Sequence, residues 1–248
     1  MSKHGSRGQG YNVQIAVEGK SLLIAADDVI NNANDREALF GMAESAKEAL
    51  GVETLEVYAD QGYSSGKQFA QCYEHGITPY VPVMTARSLS GGARLKTSVF
   101  KFDKERDVYV CPAGELLHRR GKPRKDGAQK YCSGKSSCDQ CAKRDECLTE
   151  KGSIRSIIRS EHEELLSAQK ELMEKHPAAM RERSSMVEHP FGTIKARAGW
   201  NHFLVRGLEK VKGEWSLMGL SYNLSRVIKL LGMDKFIECC RHQQAQAS

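Results

Sequence analysis

The stretch "TLEVYADQGYSSGKQFAQCYEHGITPYVPV", Thr54 to Val83, decides how this chain is built. "TLEVYAD" has the length and β-rich character of a short buried strand, "SGKQFAQCYEHG" reads as a helix ended by Gly76, and "TPYVPV" reads as another strand. Upstream, "NDREALFGMAESAKEALG" sets Leu39, Met42, Ala43, Ala46 and Leu50 at helical spacing, with Asn34 as the cap and Gly51 as the stop. Further upstream, "YNVQIAVEG" alternates Val13, Ile15 and Val17 on one face and "KSLLIAADDVI" is a second β-rich run, with Gly19 and Lys20 at a hairpin turn. The order β-β-α-β-α-β predicts an α/β sheet with mixed strand directions.

Downstream of Met84 the character changes. "ARSLSGGARLKTS" reads as a linker and "VFKFDKERDVYVCPAG" as a hairpin turning at Lys104 to Arg106; a basic, cysteine-bearing segment then runs to Arg159. Helix returns with "EHEELLSAQKELMEKH", stopped near Pro177, and a last helix from Gly207 to Leu231 carries Leu208, Val211, Trp215, Met218, Leu220, Leu224, Val227, Ile228 and Leu231 as a core face. The predicted divisions are an arm (1–10), the first part of a core (11–84), a basic insertion (85–159), a helical return (160–232) and a tail (233–248).

With 248 residues and 40% hydrophobic content, the chain has material for one large domain or a domain with a sizeable insertion. Eight cysteines without a basic-apolar-small leader at Met1 point to a reducing compartment rather than a secreted disulfide scaffold. The longest apolar run, Leu22 to Ala26, is far short of the roughly 20 residues of a membrane span, so a cytoplasmic protein without a membrane partner is expected. Net charge is +6, and all of it is local: Cys111 to Arg159 holds 12 lysines and arginines against 6 acids. Such a segment suits a polyanion, because cationic contacts to phosphates release condensed counterions; the alternative, which composition alone favours, is a solvated loop.

The residues that could carry chemistry are few. Asp60 closes the strand "LEVYAD" ahead of "QGY", at the strand end where open α/β sheets place ligands. Glu188 lies in "RERSSMVEHPFGTIKARAGW", with Arg181 and Arg183 before it and Lys195 seven positions after, on the same helical face after two turns. Phe191 and Ile194 anchor the other face, and Pro190 is expected to bend or restart the helix close to Glu188. The alternative for each acid is ordinary turn chemistry or a surface ion pair.

"VEHPFGTIK", with "HFLVRGLEKV" and "YNLSR" behind it and "GYNVQIAV" and "YADQGY" ahead, resembles the DDE transposases of bacterial insertion sequences, over nearly the whole chain. The resemblance implies a ribonuclease-H-like core with Asp60 as the second catalytic carboxylate and Glu188 as the third. It implies Mg2+ or Mn2+ held by these acids, because two hard cations must clamp the attacking and leaving oxygens of a phosphodiester. It also implies DNA as partner, both transposon ends and target, with Arg181 or Arg183 and Lys195 on the phosphates, in a nucleoid-associated protein. Pro190 would aim Glu188 inward.

The chain departs from the family at the first aspartate, expected on a strand before "GYNVQ", since the ten residues before Tyr11 contain no acid. Asp27, Asp28 and Asp35 lie on or after later strands and are not assigned to the vacancy. The expectation is an amino-terminally truncated transposase lacking the first core strand, its enzymatic activity left open. A non-catalytic DNA-binding remnant, acting on a full-length transposase or self-associating, is the alternative.

Cys138 and Cys141 form a C-x2-C, with Cys147 after them and Cys111 in "CPAG" 27 positions before Cys138. Four thiolates bind zinc tetrahedrally, and a segment this poor in large apolar residues would need such a staple to fold. Structural zinc stands against plain reduced thiols, with Cys132 as the substitute ligand, and a zinc-stapled basic binding module is a third function class. Cys72, Cys239 and Cys240 read as ordinary structural residues. Arg119, Arg120, Lys122, Arg124 and Lys125 are the expected phosphate contacts within the insertion.

Overall fold

The computed structural model describes residues 10–32, 34–83, 94–124, 127–197, 199 and 202–246. Chain contacts divide it into two units, Met1–Val83 with Ala168–Ser248, and Met84–Ser167. The arm and most of the linker expected from the sequence lie outside the described residues.

The first unit opens with a hairpin. β-branched alternation produces β1 (Asn12–Val17), antiparallel to β2 (Ile24–Ile30) with Asn12 opposite Ile30. The Glu18 carboxylate accepts the backbone N–H groups of Lys20 and Ser21 at 3.0 and 2.6 Å, which fixes the turn. Helix α1 (Leu39–Leu50) ends on left-handed Gly51 at φ 63°, as the sequence predicts. Its start is a correction: no side chain caps it, and Asn34 instead accepts the N–H of Arg36 in a turn ahead of the helix. The reason is tertiary, because the neighbouring Asp35 is held by Asn12 and Gln14 of β1, which keeps this segment off the helix axis.

β3 (Leu55–Tyr58), α2 (Gly66–Glu74) and β4 (Ile77–Tyr80) form a strand-helix-strand unit, the two strands parallel with Leu55 opposite Ile77. Sequence order led us to expect one mixed sheet. The structure has two separate pairs, β1–β2 and β3–β4, with no ladder joining them among the described residues. Both pack against helices, but β1 and β3 do not hydrogen-bond to each other.

The second unit is an antiparallel meander of β5 (Lys101–Asp103), β6 (Val108–Val110), β7 (Leu116–Arg119), β8 (Gln129–Cys132) and β9 (Ser156–Arg159), with α3 (Lys135–Asp139) and α4 (Arg144–Cys147) between the last two strands. The first turn falls where the sequence predicts it, with Asp103 accepting the N–H groups of Glu105 and Arg106. The expectation that this segment has almost nothing apolar to pack is corrected. Phe100, Tyr109, Leu117, Tyr131 and Ile157 form a buried cluster. Tyr109 pairs with Leu117 and Tyr131 with Ile157 across the strands, so all point to one face. The cluster takes one side chain from each of β6, β7, β8 and β9, with Phe100 just ahead of β5.

Helix α5 (Glu163–Lys175) leads back to the first unit, followed by α6 (Ala179–Gly192), a π-helical stretch Thr193–Arg197, α7 (Leu208–Leu231) and α8 (Met233–Gln246). α7 buries Val211, Trp215, Met218 and Tyr222 against Ile24 and Val29 of β2 and Ile194. Leu220, Leu224 and Leu231, expected in this core, are instead 64%, 44% and 44% exposed. The buried residues follow one stripe at helical spacing; these leucines lie off it. No described helix is long and apolar enough to cross a membrane.

Candidate functional site

The site at Asp60 is built by the loop leaving β3. Asp60 lies two residues beyond the strand and caps a single 3-10 turn, Gln61–Tyr63, by accepting the N–H of Gly62 at 2.8 Å. Its second oxygen meets Arg183 of α6, with Nη2 3.2 Å from Oδ2. The loop after β3 and the middle of α6 therefore converge, which sequence separation alone does not dictate.

A second carboxylate converges there too. Asp35 accepts the side-chain N–H groups of Asn12 at 2.5 Å and Gln14 at 2.8 Å. A β-carbon placed on Gly62 would lie 2.9 Å from Asp60 Oδ1 and 3.4 Å from Asp35 Oδ2, so both acids crowd the same glycine. Tyr63 donates its hydroxyl to Gln14 Oε1. Burial, followed by the charges of Asp35 and Asp60, pushes the Tyr63 hydroxyl pKa well above its ordinary value. Sequence reasoning passed over Asp35 as lying beyond β2. The signal that could have found it is Gln14, a fully buried amide on the second face of β1, since a buried polar group needs partners.

Glu188 stands differently. It is exposed on α6, and its carboxylate has no hydrogen-bond or ion-pair partner among the described residues. α6 does not break beside it: Pro190 is buried inside a continuous helix, and the disturbance surfaces afterwards as the π-helical stretch from Thr193. The restart expected near Glu188 is not found: the helix runs on through Pro190 and changes to π-helical winding at Thr193. Lys195 is exposed with Nζ 5.3 Å from the centroid of Phe191, and Arg181 is exposed. Among the described residues no three His, Cys, Asp or Glu side chains stand close enough together to hold a metal ion.

In the other unit, Cys111, Cys138, Cys141 and Cys147 line a single cavity of about 30 Å³. Cys111 sits in a tight turn where Gly114 N–H donates to its carbonyl at 2.9 Å and Ala113 N–H points at its Sγ at 3.4 Å. Cys138 belongs to α3, Cys141 follows it, and Cys147 ends α4; all four thiols are free. Burial raises the Cys147 thiol pKa, and the Arg155 guanidinium partly offsets that. Cys132 is buried in β8 outside the cavity lining. Cys72 is buried and its pKa pushed up to about 12, while Cys239 and Cys240 are exposed.

The β7–β8 turn exposes Arg119, Arg120, Lys122 and Arg124; Lys125 lies outside the described residues. Arg119 is 4.0 Å from Asp107, the rim of an otherwise cationic edge.

No curated protein and no solved structure compared with the chain matches it. Residues 110–228 match the family model described as "Transposase DDE domain", a stretch that contains the cysteine cavity, the basic turn and Glu188. Through that stretch the chain is similar to DDE transposases, and the match supports DNA transposition as its class of function.

Proposed function

We propose that this chain is the catalytic portion of a DDE transposase, with Asp60 as the second carboxylate and Glu188 as the third. The observation that carries the reading is the Arg183–Asp60 contact: α6, inside the matched stretch, delivers its cation to an acid outside it. Asp60 and Asp35 offer hard oxygen donors of the kind magnesium or manganese takes, although Asp60 is engaged by Arg183 and Gly62. A divalent ion held there would polarise a phosphodiester and stabilise the leaving oxygen. The chain's own part is to orient Asp60 through Gly62 and Arg183, and to present Arg181 and Lys195 to phosphates. Two strand pairs without a ladder between them suit a ribonuclease-H-like sheet that takes one more strand, bearing the first aspartate, between β1 and β3. The second reading, a non-catalytic DNA-binding chain acting on a full-length transposase, is favoured by the exposure of Glu188 and by the lack of a partner for its carboxylate among the described residues.

Both readings require DNA binding that is largely independent of sequence and steeply salt-sensitive. Changing Arg119, Arg120, Lys122 and Arg124 together to glutamine is expected to lower the slope of log K against log salt by about 3 to 4, at about 0.9 per phosphate contact. Fluorescence anisotropy on duplex DNA across a salt series measures it. An unchanged slope would move the binding surface to Arg181, Arg183 and Lys195. Magnesium-dependent nicking separates the two readings.

For the cavity cysteines we propose one structural zinc ion: four thiols line one small space, no three of them stand close enough to hold an ion as the described residues are placed, and tetrahedral coordination would draw them together.

A further inference from the structure

α7 has two apolar faces, and among the described residues the chain covers one of them. Val211, Trp215, Met218 and Tyr222 are buried against β2. On the other side Leu217, Leu220, Leu224, Val227 and Leu231 repeat at intervals of three, four, three and four residues. At about 100° per residue the four leucines fall within about 60° of one another, and Trp215 stands about 180° from Leu224. Leu217 is 67% exposed, Leu220 and Leu224 are exposed too, and Val227 is half-buried. A helix laid on a core shows a broad apolar arc, whereas a narrow stripe with this 3-4 spacing is the seam of two paired helices. The charges of the helix are engaged away from the stripe. Between Glu214 and Arg226 the sequence holds no charged residue. Lys212 is paired with Asp28 at 2.9 Å, Glu214 accepts the N–H groups of Leu204 and Val205 at 2.9 and 3.2 Å, and Arg226 donates to the Ser21 carbonyl at 2.7 Å. Lys229 lies about 140° around the helix from Leu224. From Leu217 to Leu231 the stripe therefore offers no cation to a phosphate or an acidic peptide, and no acid to a basic one.

We infer that α7 is a dimerisation helix, its stripe from Leu217 to Leu231 packing on the same stripe of a second copy of this chain about a two-fold axis. Such a contact sets one surface against itself, so the surface has to be self-complementary in shape and free of like charge. A chain of net charge +6 repels its own copy, and a stripe without charge is where two copies can meet. The 3-4 spacing asks for a partner helix with the same spacing, and α7 of the second copy supplies it. The seam runs about 21 Å at 1.5 Å per residue. Leu204, 80% exposed and tied to Glu214 by its N–H, extends the apolar surface at one end, and exposed Met233 at the start of α8 extends it at the other. This is a smaller area than the roughly 800 Å² per partner of a standard stable interface, so the pair is weak and dilution separates it. The inference is independent of the transposase reading.

The test is sedimentation velocity of the full chain over a dilution series, with a reductant present because Cys239 and Cys240 are exposed. The wild type is expected to show a monomer–dimer equilibrium with Kd of about 1–100 µM. Leu220→Glu combined with Leu224→Glu should weaken it by about 100-fold or more, since like charges would face each other across the axis. Leu220→Lys combined with Leu224→Lys should do the same alone, and mixing the two double variants should restore a dimer. That recovery reports the stripe meeting its own copy, which loss of fold in either variant would not produce. A wild type that stays monomeric throughout the series overturns the inference, and so does a dimer that both double variants leave unchanged. A monomeric wild type that co-sediments with phosphatidylserine vesicles would assign the stripe to a membrane surface instead and also overturns it. Should the variants fail to fold, hydrogen exchange of the wild type decides: protection over 217–231 is expected to rise with protein concentration, and a constant value overturns the proposal.

Discussion

With the cavity cysteines holding zinc as proposed, stripping the metal with a strong chelator is expected to unfold the meander unit and leave the rest of the chain folded. Among the described residues the unit's aromatic-aliphatic cluster has five buried side chains, and a core of that size supplies only about 3–5 kcal/mol. A structural zinc site contributes about 10–16 kcal/mol of apparent binding energy near neutral pH, so it would dominate. The aromatic cluster should then hold a collapsed but exchanging state rather than native strands. Both tryptophans, Trp200 and Trp215, lie outside residues 84–167, so tryptophan fluorescence reports the other unit alone. Hydrogen exchange over β6 to β9 should lose protection on chelation while tryptophan emission stays constant, and added zinc should reverse it. Cys138→Ser combined with Cys141→Ser should reproduce the chelated state. Continued protection of these strands after metal removal would mean that Tyr109, Leu117, Tyr131 and Ile157 fold the unit unaided.

What could be read from the sequence was set by how local each signal is. The hairpin before Ile30, the end of α1 at Gly51 and the strand-helix-strand from Leu55 to Tyr80 rest on periodicity and turn chemistry within a few residues, and they are found where expected. The meander core depends on which apolar residues pair across strands, Tyr109 with Leu117 and Tyr131 with Ile157, which no local window of sequence reveals. Along α7, Leu220, Leu224 and Leu231 were counted toward the core, whereas they lie off the buried stripe through Val211, Trp215, Met218 and Tyr222. The site shows the same division. Four cysteines were legible as a set from type and spacing, while Arg155, which lines the same cavity, was not, because its burial there is made by the fold. Asp60 was legible from its strand end. Its neighbour Asp35 was not, since that relation is made by Asn12, Gln14 and Gly62 across the fold.

Residues 1–248 alone are expected not to nick DNA, with magnesium or with manganese. Two-metal cleavage needs several carboxylates on one pair of ions. Among the described residues no three such groups converge and the Glu188 carboxylate has no partner, while Asp60 is tied to Arg183. Supplying a strand-forming segment that carries an aspartate, fused or in trans, is expected to bridge β1 and β3, improve solubility by covering those edges, and produce nicking of supercoiled plasmid. The same segment with alanine for aspartate should improve solubility and give no nicking, and Asp60→Ala or Glu188→Ala should abolish the activity of the completed protein. The informative contrary result is nicking by the 248-residue chain unaided, lost in Asp60→Ala. The acid at the first position would then come from within the chain, and Asp35 is the candidate, because it shares Gly62 with Asp60 whereas Asp28 is committed to Lys212 at 2.9 Å. Asp35→Asn keeps a side-chain oxygen for Asn12 and Gln14 while removing the charge, so in that case it should silence cleavage without disturbing the fold.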